Sequence, residues 1–370
     1  MLSPAAYVVC KTQREELERL SRAVYTHVEA LARKLSTLGK STRLTHEEAF
    51  FLGLAKNGIR GLLKPSEHDG NIPPVIKVDL VQDSQGHYKI AEVDVYNPRG
   101  FGYLALLDGL VPDGATTAGP GISAIADSMN HFSRDAQWVI VVSEFERYYY
   151  PTYSIFANAL EQRGLRVSVF RGRELAAGSE TLAKISHVFA VPDTFVEHPE
   201  VRKLLLSRYR ARELSAFYPP AAYLGSKAYL PFLRAQPGLE EFIPPSALVC
   251  RRSDPWKMIG RETPVVLKGV MSSGHKQVIF SKREPVTFEN TLAEARRSKY
   301  PAWMVQEEVA QGPVSVVVFD DAGQRLTRNY FLRLTAYVAR DGLIGLEATG
   351  RESSFVHGAP DCIQIPAILE

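Results

Sequence analysis

The chain has 370 residues, too many for one ordinary core, so two or three domains are expected. Hydrophobic residues make up 45% and charged ones 23%, and the formal charge is +3. That balance gives no argument for a nucleic-acid or membrane partner, so neither is expected, and it leaves room only for a local basic patch. Three scattered cysteines, Cys10, Cys250 and Cys362, give no disulfide framework and no CxxC metal pair, which fits a reducing, cytoplasmic setting. The first residues lack a basic start and a signal-length apolar run, and no stretch approaches the ~18 apolar residues of a spanning helix.

Leu17, Leu20, Val24, Val28, Leu31 and Leu35 recur at three- and four-residue steps, which predicts a helix over 11–38. Thr45 or Ser41 starts a second helix over Phe50–Leu63, and Thr45-His46-Glu47-Glu48 has the form of a capping box. These are packing helices, and His46 reads as a surface residue.

The stretch Val75–Tyr103 reads as a hairpin. Val75–Val81 is one strand, Asp83–Gly86 (DSQG) a turn and Tyr88–Val95 the second strand. Side chains alternate along a strand, so Lys77 and Asp79 share a face, as do Glu92 and Asp94. If those faces align, three carboxylates and an ammonium converge. Carboxylates so placed need a counter-charge, and magnesium suits them because it takes one or two carboxylates and completes its shell with water and phosphate oxygens. The same spacing also fits an amphipathic hairpin with a solvated charged face. Asn97, Pro98 and Arg99 leave the second strand in a fixed direction, and Gly100 and Gly102 let backbone approach a ligand.

Leu104–Leu110 and Ala124–His131 read as short helices around a Gly/Pro/Thr-rich loop. The rhythm then changes. Trp138–Val142 (WVIVV), Arg166–Phe170 and Ile185–Val191 read as buried strands, separated by helices over Tyr153–Arg163 and Glu174–Leu182. This spacing predicts a small parallel, doubly wound sheet, which binds ligands beyond the carboxyl ends of its strands. Ser143–Tyr150 reads equally as a substrate-recognition loop or as a tyrosine-rich surface loop, and the lack of GxGxxG after Val142 argues against a dinucleotide fold. Glu200–Ala216 reads as a basic amphipathic helix, Ser226–Leu233 as a short helix and Phe242–Pro245 as an extended linker.

Pro264–Phe280 is the second chemical stretch. Val265–Val270 is a strand with Lys268 near its end, Met271–His275 a small-residue loop and Lys276–Phe280 the return strand. Such a flap suits phosphates, with Lys268 and the backbone of Ser272, Ser273, Gly274 and His275 supplying positive potential. His275 stands where a Walker loop has lysine, so that motif is excluded. Trp303–Val305 is a strand running into Gln306, Glu307, Glu308 and Val309, which suits an adenine and ribose edge. Ser315–Asp320 and Phe331–Ala339 are further strands, with Asp341-Gly342 a hairpin turn. Arg333, Arg351 and His357 lie here with no assigned role.

Taken together, these residues resemble the ATP-grasp superfamily in its circularly permuted branch, which includes glutathionylspermidine synthetase-like ligases and eukaryotic glutathione synthetases. The resemblance is carried by Lys77-Val78-Asp79 and Glu92-Val93-Asp94, by the helix at Ser226-Lys227, by the proline linker, by Lys268 and by the hinge Gln306–Val309. It covers roughly residues 75–358. Lys77 stands where arginine is common, which loses a bidentate fork, and Asp94 replaces the usual asparagine. The resemblance implies an α/β fold in which a small doubly wound domain (136–240) is inserted between the two ATP-grasp parts (1–135 and 241–370). It implies a carboxylate–amine ligase that uses ATP and Mg2+ through an acyl-phosphate. Asp79, Glu92 and Asp94 would hold metal, Lys77 would bind the transferred phosphate and Arg99 would contact the transition state or the acid. The expected substrates are a small carboxylate and an amine, such as an amino acid, peptide or polyamine. A non-catalytic nucleotide- or partner-binding protein, or a phosphotransferase on the same fold, are the alternatives.

Overall fold

The computed structural model describes residues 3, 6–55, 62–96, 98–111, 116–191, 198–251, 253–271, 277–299, 301–319, 322–354, 356 and 361–370. It is a mixed α/β protein, with three sheets among the described residues. No helix among the described residues is long and apolar enough to cross a membrane.

Strand β1 (Tyr7–Val9) leads into helix α1 (Lys11–Lys40), which runs two residues beyond the predicted end. Its leucine and valine stripe is buried as the periodicity requires. Helix α2 (His46–Leu54) begins on the expected capping box, with the Glu48 amide donating to Thr45 Oγ1 at 3.2 Å. The hairpin forms as β2 (Val75–Gln82) and β3 (Tyr88–Asp94), and Asp83 organises its turn by accepting from the amides of Gln85 and His87. Helix α3 (Phe101–Asp108), the short strand β4 (Thr116–Thr117) and helix α4 (Gly121–Phe132) follow.

The middle of the chain forms a parallel sheet. Its strands are β5 (Gln137–Val142), β6 (Arg166–Arg171), β7 (His187–Ala190) and β8 (Ser215–Tyr218), ordered β6-β5-β7-β8. Helix α5 (Tyr150–Glu161) packs on one face. Helices α6 (Gly172–Ala177), α7 (Ser179–Lys184) and α8 (Pro199–Arg210) pack on the other, so the sheet is wound on both sides. Two expectations change here. The helix over Glu174–Leu182 is broken at Gly178. The helix expected to reach Ala216 stops at Arg210, where Arg212 takes a left-handed φ of 62°. The apolar Ala216, Phe217 and Tyr218 that follow are buried as a fourth strand.

Helix α9 (Leu230–Arg234) precedes a small antiparallel sheet of β9 (Ser246–Val249), β10 (Val265–Gly269), β11 (Val278–Phe280) and β12 (Trp303–Glu307), ordered β11-β10-β12-β9. Helix α10 (Pro285–Ala295) covers one face of it. The chain then returns to the hairpin. Strands β13 (Val314–Phe319), β14 (Arg325–Ala339), β15 (Gly342–Arg351) and β16 (Ile363–Leu369) join β2 and β3 in the order β1-β16-β15-β14-β2-β3. One face of this sheet is apolar and packs on α1; the other faces the parallel sheet.

The two layers meet at Gly102 in α3. A Cβ there would sit 1.9 Å from the Thr152 carbonyl oxygen of α5, so the helices touch backbone to backbone. We expect Gly102→Ala to lower the unfolding free energy by about 1–3 kcal/mol in urea titrations, through overpacking against an atom that cannot rotate away. Unchanged stability would contradict this packing.

Candidate functional site

A single bulge brings the charged side chains of the hairpin together. Along β2, Ile76, Val78 and Leu80 are buried in the core beneath α1, so Lys77 and Asp79 point to the opposite face. Along β3, strict alternation would put Glu92 and Asp94 with Tyr88 and Ile90, inside that same core. Asp79 pairs with Glu92, however, while Leu80 pairs with Ile90, so Ala91 is an extra residue. Beyond it the core positions are Val93 and Val95, and Glu92 and Asp94 join Lys77 and Asp79. Lys77 lies opposite Asp94, and Asp79 opposite Glu92.

The row continues across the sheet. Thr335 of β14 stands opposite Asp79, Tyr337 opposite Lys77, and Glu347 of β15 opposite Thr335. Thr335 donates its hydroxyl to Asp79 Oδ1 at 2.9 Å. Lys77 Nζ lies 3.5 Å from Asp79 and 3.1 Å from Asp94, and Arg333 reaches Asp79 at 3.8 Å. Burial works to raise the Asp79 carboxyl, but Lys77 and Arg333 outweigh it and hold Asp79 below its ordinary value. Burial likewise opposes the Lys77 charge, and Asp79 and Asp94 overcome it. Glu347, 3% exposed, is pushed up to about 8 by burial, against the pull of Lys77 and Arg333. Its Oε2, the Tyr337 hydroxyl and Arg333 Nε have no hydrogen-bond partner among the described residues.

Two further lysines arrive from other parts of the chain. Lys227 donates to Glu92 Oε1 at 2.6 Å, and its own amide donates to the Val270 carbonyl just past β10. Lys268 of β10 donates to the Ala91 carbonyl at 3.1 Å and to Gln306 Oε1 at 2.6 Å. The Ala91 carbonyl belongs to the bulge residue, which stands outside the ladder register. Gln306 is fixed in turn by donating to Ser246 Oγ at 3.2 Å. Burial, with Lys227 adding to it, lowers the Lys268 ammonium to about 8 despite Glu92. Burial also raises Glu92, helped by Asp94 and Asp79 and opposed by Lys227.

The structure therefore brings Lys77, Asp79, Glu92, Asp94, Lys268 and Gln306 together. The Glu307 and Glu308 amides donate to the carbonyls of Pro245 and Pro264, and Glu308 pairs with Arg283 at 2.9 Å, so Val309 is the first hinge residue beyond those bonds. Ser272, Ser273, Gly274, His275, Asn97 and His357 lie outside the described residues. Arg333 joins the cluster, whereas Arg351 pairs with Asp361 at 2.8 Å. Arg99 stands apart from the carboxylate row: its guanidinium donates to the buried carboxylate of Glu146, in the loop after β5. Gly100 and Gly102 approach protein rather than an open ligand space. A Cβ on Gly100, whose φ is +114°, would meet the Tyr337 hydroxyl at 2.6 Å.

Lys227, Thr335, Tyr337 and Glu347 were not assigned from the sequence. Lys227 carried a signal, as the one charged residue in the apolar run Ala221–Leu233. Glu347 carried none, because the glycines at 342, 345 and 350 disguise its strand. A cavity of about 610 Å³ lined by Trp256, Arg261, Val265 and Phe288 lies on the other face of the Lys268 sheet, since Val265 and Lys268 point opposite ways. It is separate from the charged row.

No protein-family model matches this chain, and no curated protein matches it.

The raised Glu347 carboxyl fixes a pH dependence. Unfolding exposes it to ionise near its ordinary 4.5, so between that pH and about 8 the unfolded state holds fewer protons and stability falls as pH rises. Glu347→Gln removes this loss. Urea titrations at pH 5 and pH 8 are expected to show the variant gaining up to about 4 kcal/mol relative to wild type; parallel pH profiles would contradict the burial of a neutral acid.

Proposed function

We propose that the chain is a circularly permuted ATP-grasp enzyme that joins a carboxylate to an amine, with ATP and magnesium, through an acyl-phosphate. The observation that carries this reading is the convergence of Lys227 and Lys268, from separate segments, on adjacent residues Glu92 and Ala91 of the carboxylate hairpin. One buried and two half-buried ammonium groups around carboxylates form a site for a multiply charged anion with its cation, rather than for an apolar ligand.

The donor set fits magnesium in a particular way. Among the described residues, no three His, Cys, Asp or Glu side chains stand together as a metal cage. A hard cation that takes one or two carboxylates and fills its shell with phosphate oxygens needs no such cage. Asp79 and Glu92, opposite each other across the ladder, are the candidate ligands, with Asp94 beside them. Bound there, magnesium would neutralise charge on the transferring phosphoryl group.

The chain's own residues supply the rest. Lys77, between Asp79 and Asp94, would bind the transferred phosphate, and Lys227 and Lys268 the remaining phosphate oxygens. Arg333, fixed by Asp79, would hold the attacking carboxylate in line. The Gln306–Val309 hinge would take the adenine and ribose. Closure of the β10–β11 sheet over the row would exclude water and protect the acyl-phosphate from hydrolysis.

Magnesium-dependent ADP formation across pools of carboxylates and amines tests this. Glu92→Gln should reduce ADP formation about 100-fold or more with the fold intact. Lys268→Ala should weaken ATP binding roughly 10- to 100-fold by calorimetry, as loss of a charge-assisted contact. Wild-type ADP release from Glu92→Gln would sink the metal assignment, and a phosphorylated product without an amide would make the protein a phosphotransferase.

A further inference from the structure

From the end of β3 onward, the side chains of Asp94, Tyr96 and Arg99 reach the carboxyl ends of the parallel strands in the order in which those strands stand in their sheet. The Asp94 charge adds to burial in raising the phenol of Tyr218, the last residue of β8. Tyr96 donates its hydroxyl to the carbonyl of Val191, just past β7. Arg99 pairs with Glu146, just past β5. The next strand is β6, and its last residue is Arg171, opposite Val142.

Arg171 and Arg99 are held alike. The Arg99 guanidinium lies over the Tyr149 ring at 5.5 Å, and the Arg171 guanidinium over the adjacent Tyr150 ring at 4.5 Å. They differ in their anions. Both Nε atoms are buried with no hydrogen-bond partner among the described residues, but a terminal nitrogen of Arg99 has the Glu146 carboxylate, whereas no carboxylate among the described residues pairs with Arg171. A buried donor left unsatisfied is costly, and a carboxylate from a ligand satisfies a guanidinium fork well. The position is also where a parallel sheet receives ligands.

We propose that Arg171 binds a second carboxylate on the acid substrate, at the far end of the track that begins at Lys77 and Asp94. This rests on the ligase reading, which puts the reacting carboxylate at the charged row. Neighbouring strands stand about 4.8 Å apart, so three strand steps set the two ends roughly 14 Å apart. The acid is therefore elongated and dianionic, and a short monocarboxylate fills only the reacting end. Arg99, already neutralised by Glu146, forms the wall between the ends.

The test is calorimetry on the full chain, titrated with straight α,ω-dicarboxylic acids of roughly eight to twelve carbons, a length set by the strand spacing. The controls are the same acids with one carboxylate converted to the amide. Wild type should bind the diacid at least about 10-fold more tightly than its mono-amide. Arg171→Met should erase that preference, and Arg171→Lys, which keeps charge but not the fork, should retain part of it. If the methionine variant fails to fold, the lysine variant carries the test through a reduced preference. Equal binding of diacid and mono-amide, no binding of any diacid, or an undiminished preference in the variants would overturn the proposal. Binding is read without ATP. An Arg171-dependent preference in a chain that forms no ADP would leave this pocket standing and remove the ligase reading alone.

Discussion

One extra residue, Ala91, decides which way the carboxylates of this protein point. The sheet that carries them is apolar on the face packed against α1, and its alternation is enforced by that core. Without the bulge, Glu92 and Asp94 would follow Tyr88 and Ile90 into the core, where unpaired carboxylates are not tolerated. With it, both side chains turn to the face that holds Lys77 and Asp79. The same insertion leaves the Ala91 carbonyl to accept from Lys268, so one backbone irregularity both aims the acids and anchors a lysine from another sheet.

The charged row is nearly balanced within itself. Asp79 is held ionised by Lys77, Arg333 and the Thr335 hydroxyl, and Glu92 is met by Lys227. Glu347, farther across the sheet, is left protonated by burial at neutral pH. Such a row tolerates burial because its charges are paired: Lys77 with Asp79 and Asp94, Arg333 with Asp79, and Lys227 with Glu92. The parallel sheet stands with its carboxyl ends toward this row, joined to it by the contacts of Tyr96 and Arg99. On the proposed reading, phosphate chemistry would fall to the hairpin sheet and acid recognition to the parallel sheet.

Much of this was legible in the residues. The DSQG turn, the shared face of Lys77 with Asp79 and of Glu92 with Asp94, the WVIVV strand and the Lys268 strand are local patterns, and local patterns survive in the folded chain. The bulge was not legible, because one inserted residue leaves the apolar alternation of Tyr88–Val95 readable as a single strand. Glu347 and Thr335 were missed because their importance comes from register with Asp79, more than 250 positions away. Arg99 was read as facing the reaction, but Glu146, far off in sequence and fully buried, claims its guanidinium. Strand β8 was hidden in the tail of a basic helix pattern until the left-handed Arg212 separated the two.

The most direct measurement is a crystal structure with a non-hydrolysable ATP analogue and magnesium. Phosphate density is expected within hydrogen-bond reach of Lys77, Lys227 and Lys268, with the metal between those oxygens and Asp79 or Glu92, and with the bulge at Ala91 retained. Nucleotide bound in the Trp256 cavity on the other face of the Lys268 sheet, or phosphates away from the Glu92 row, would contradict it.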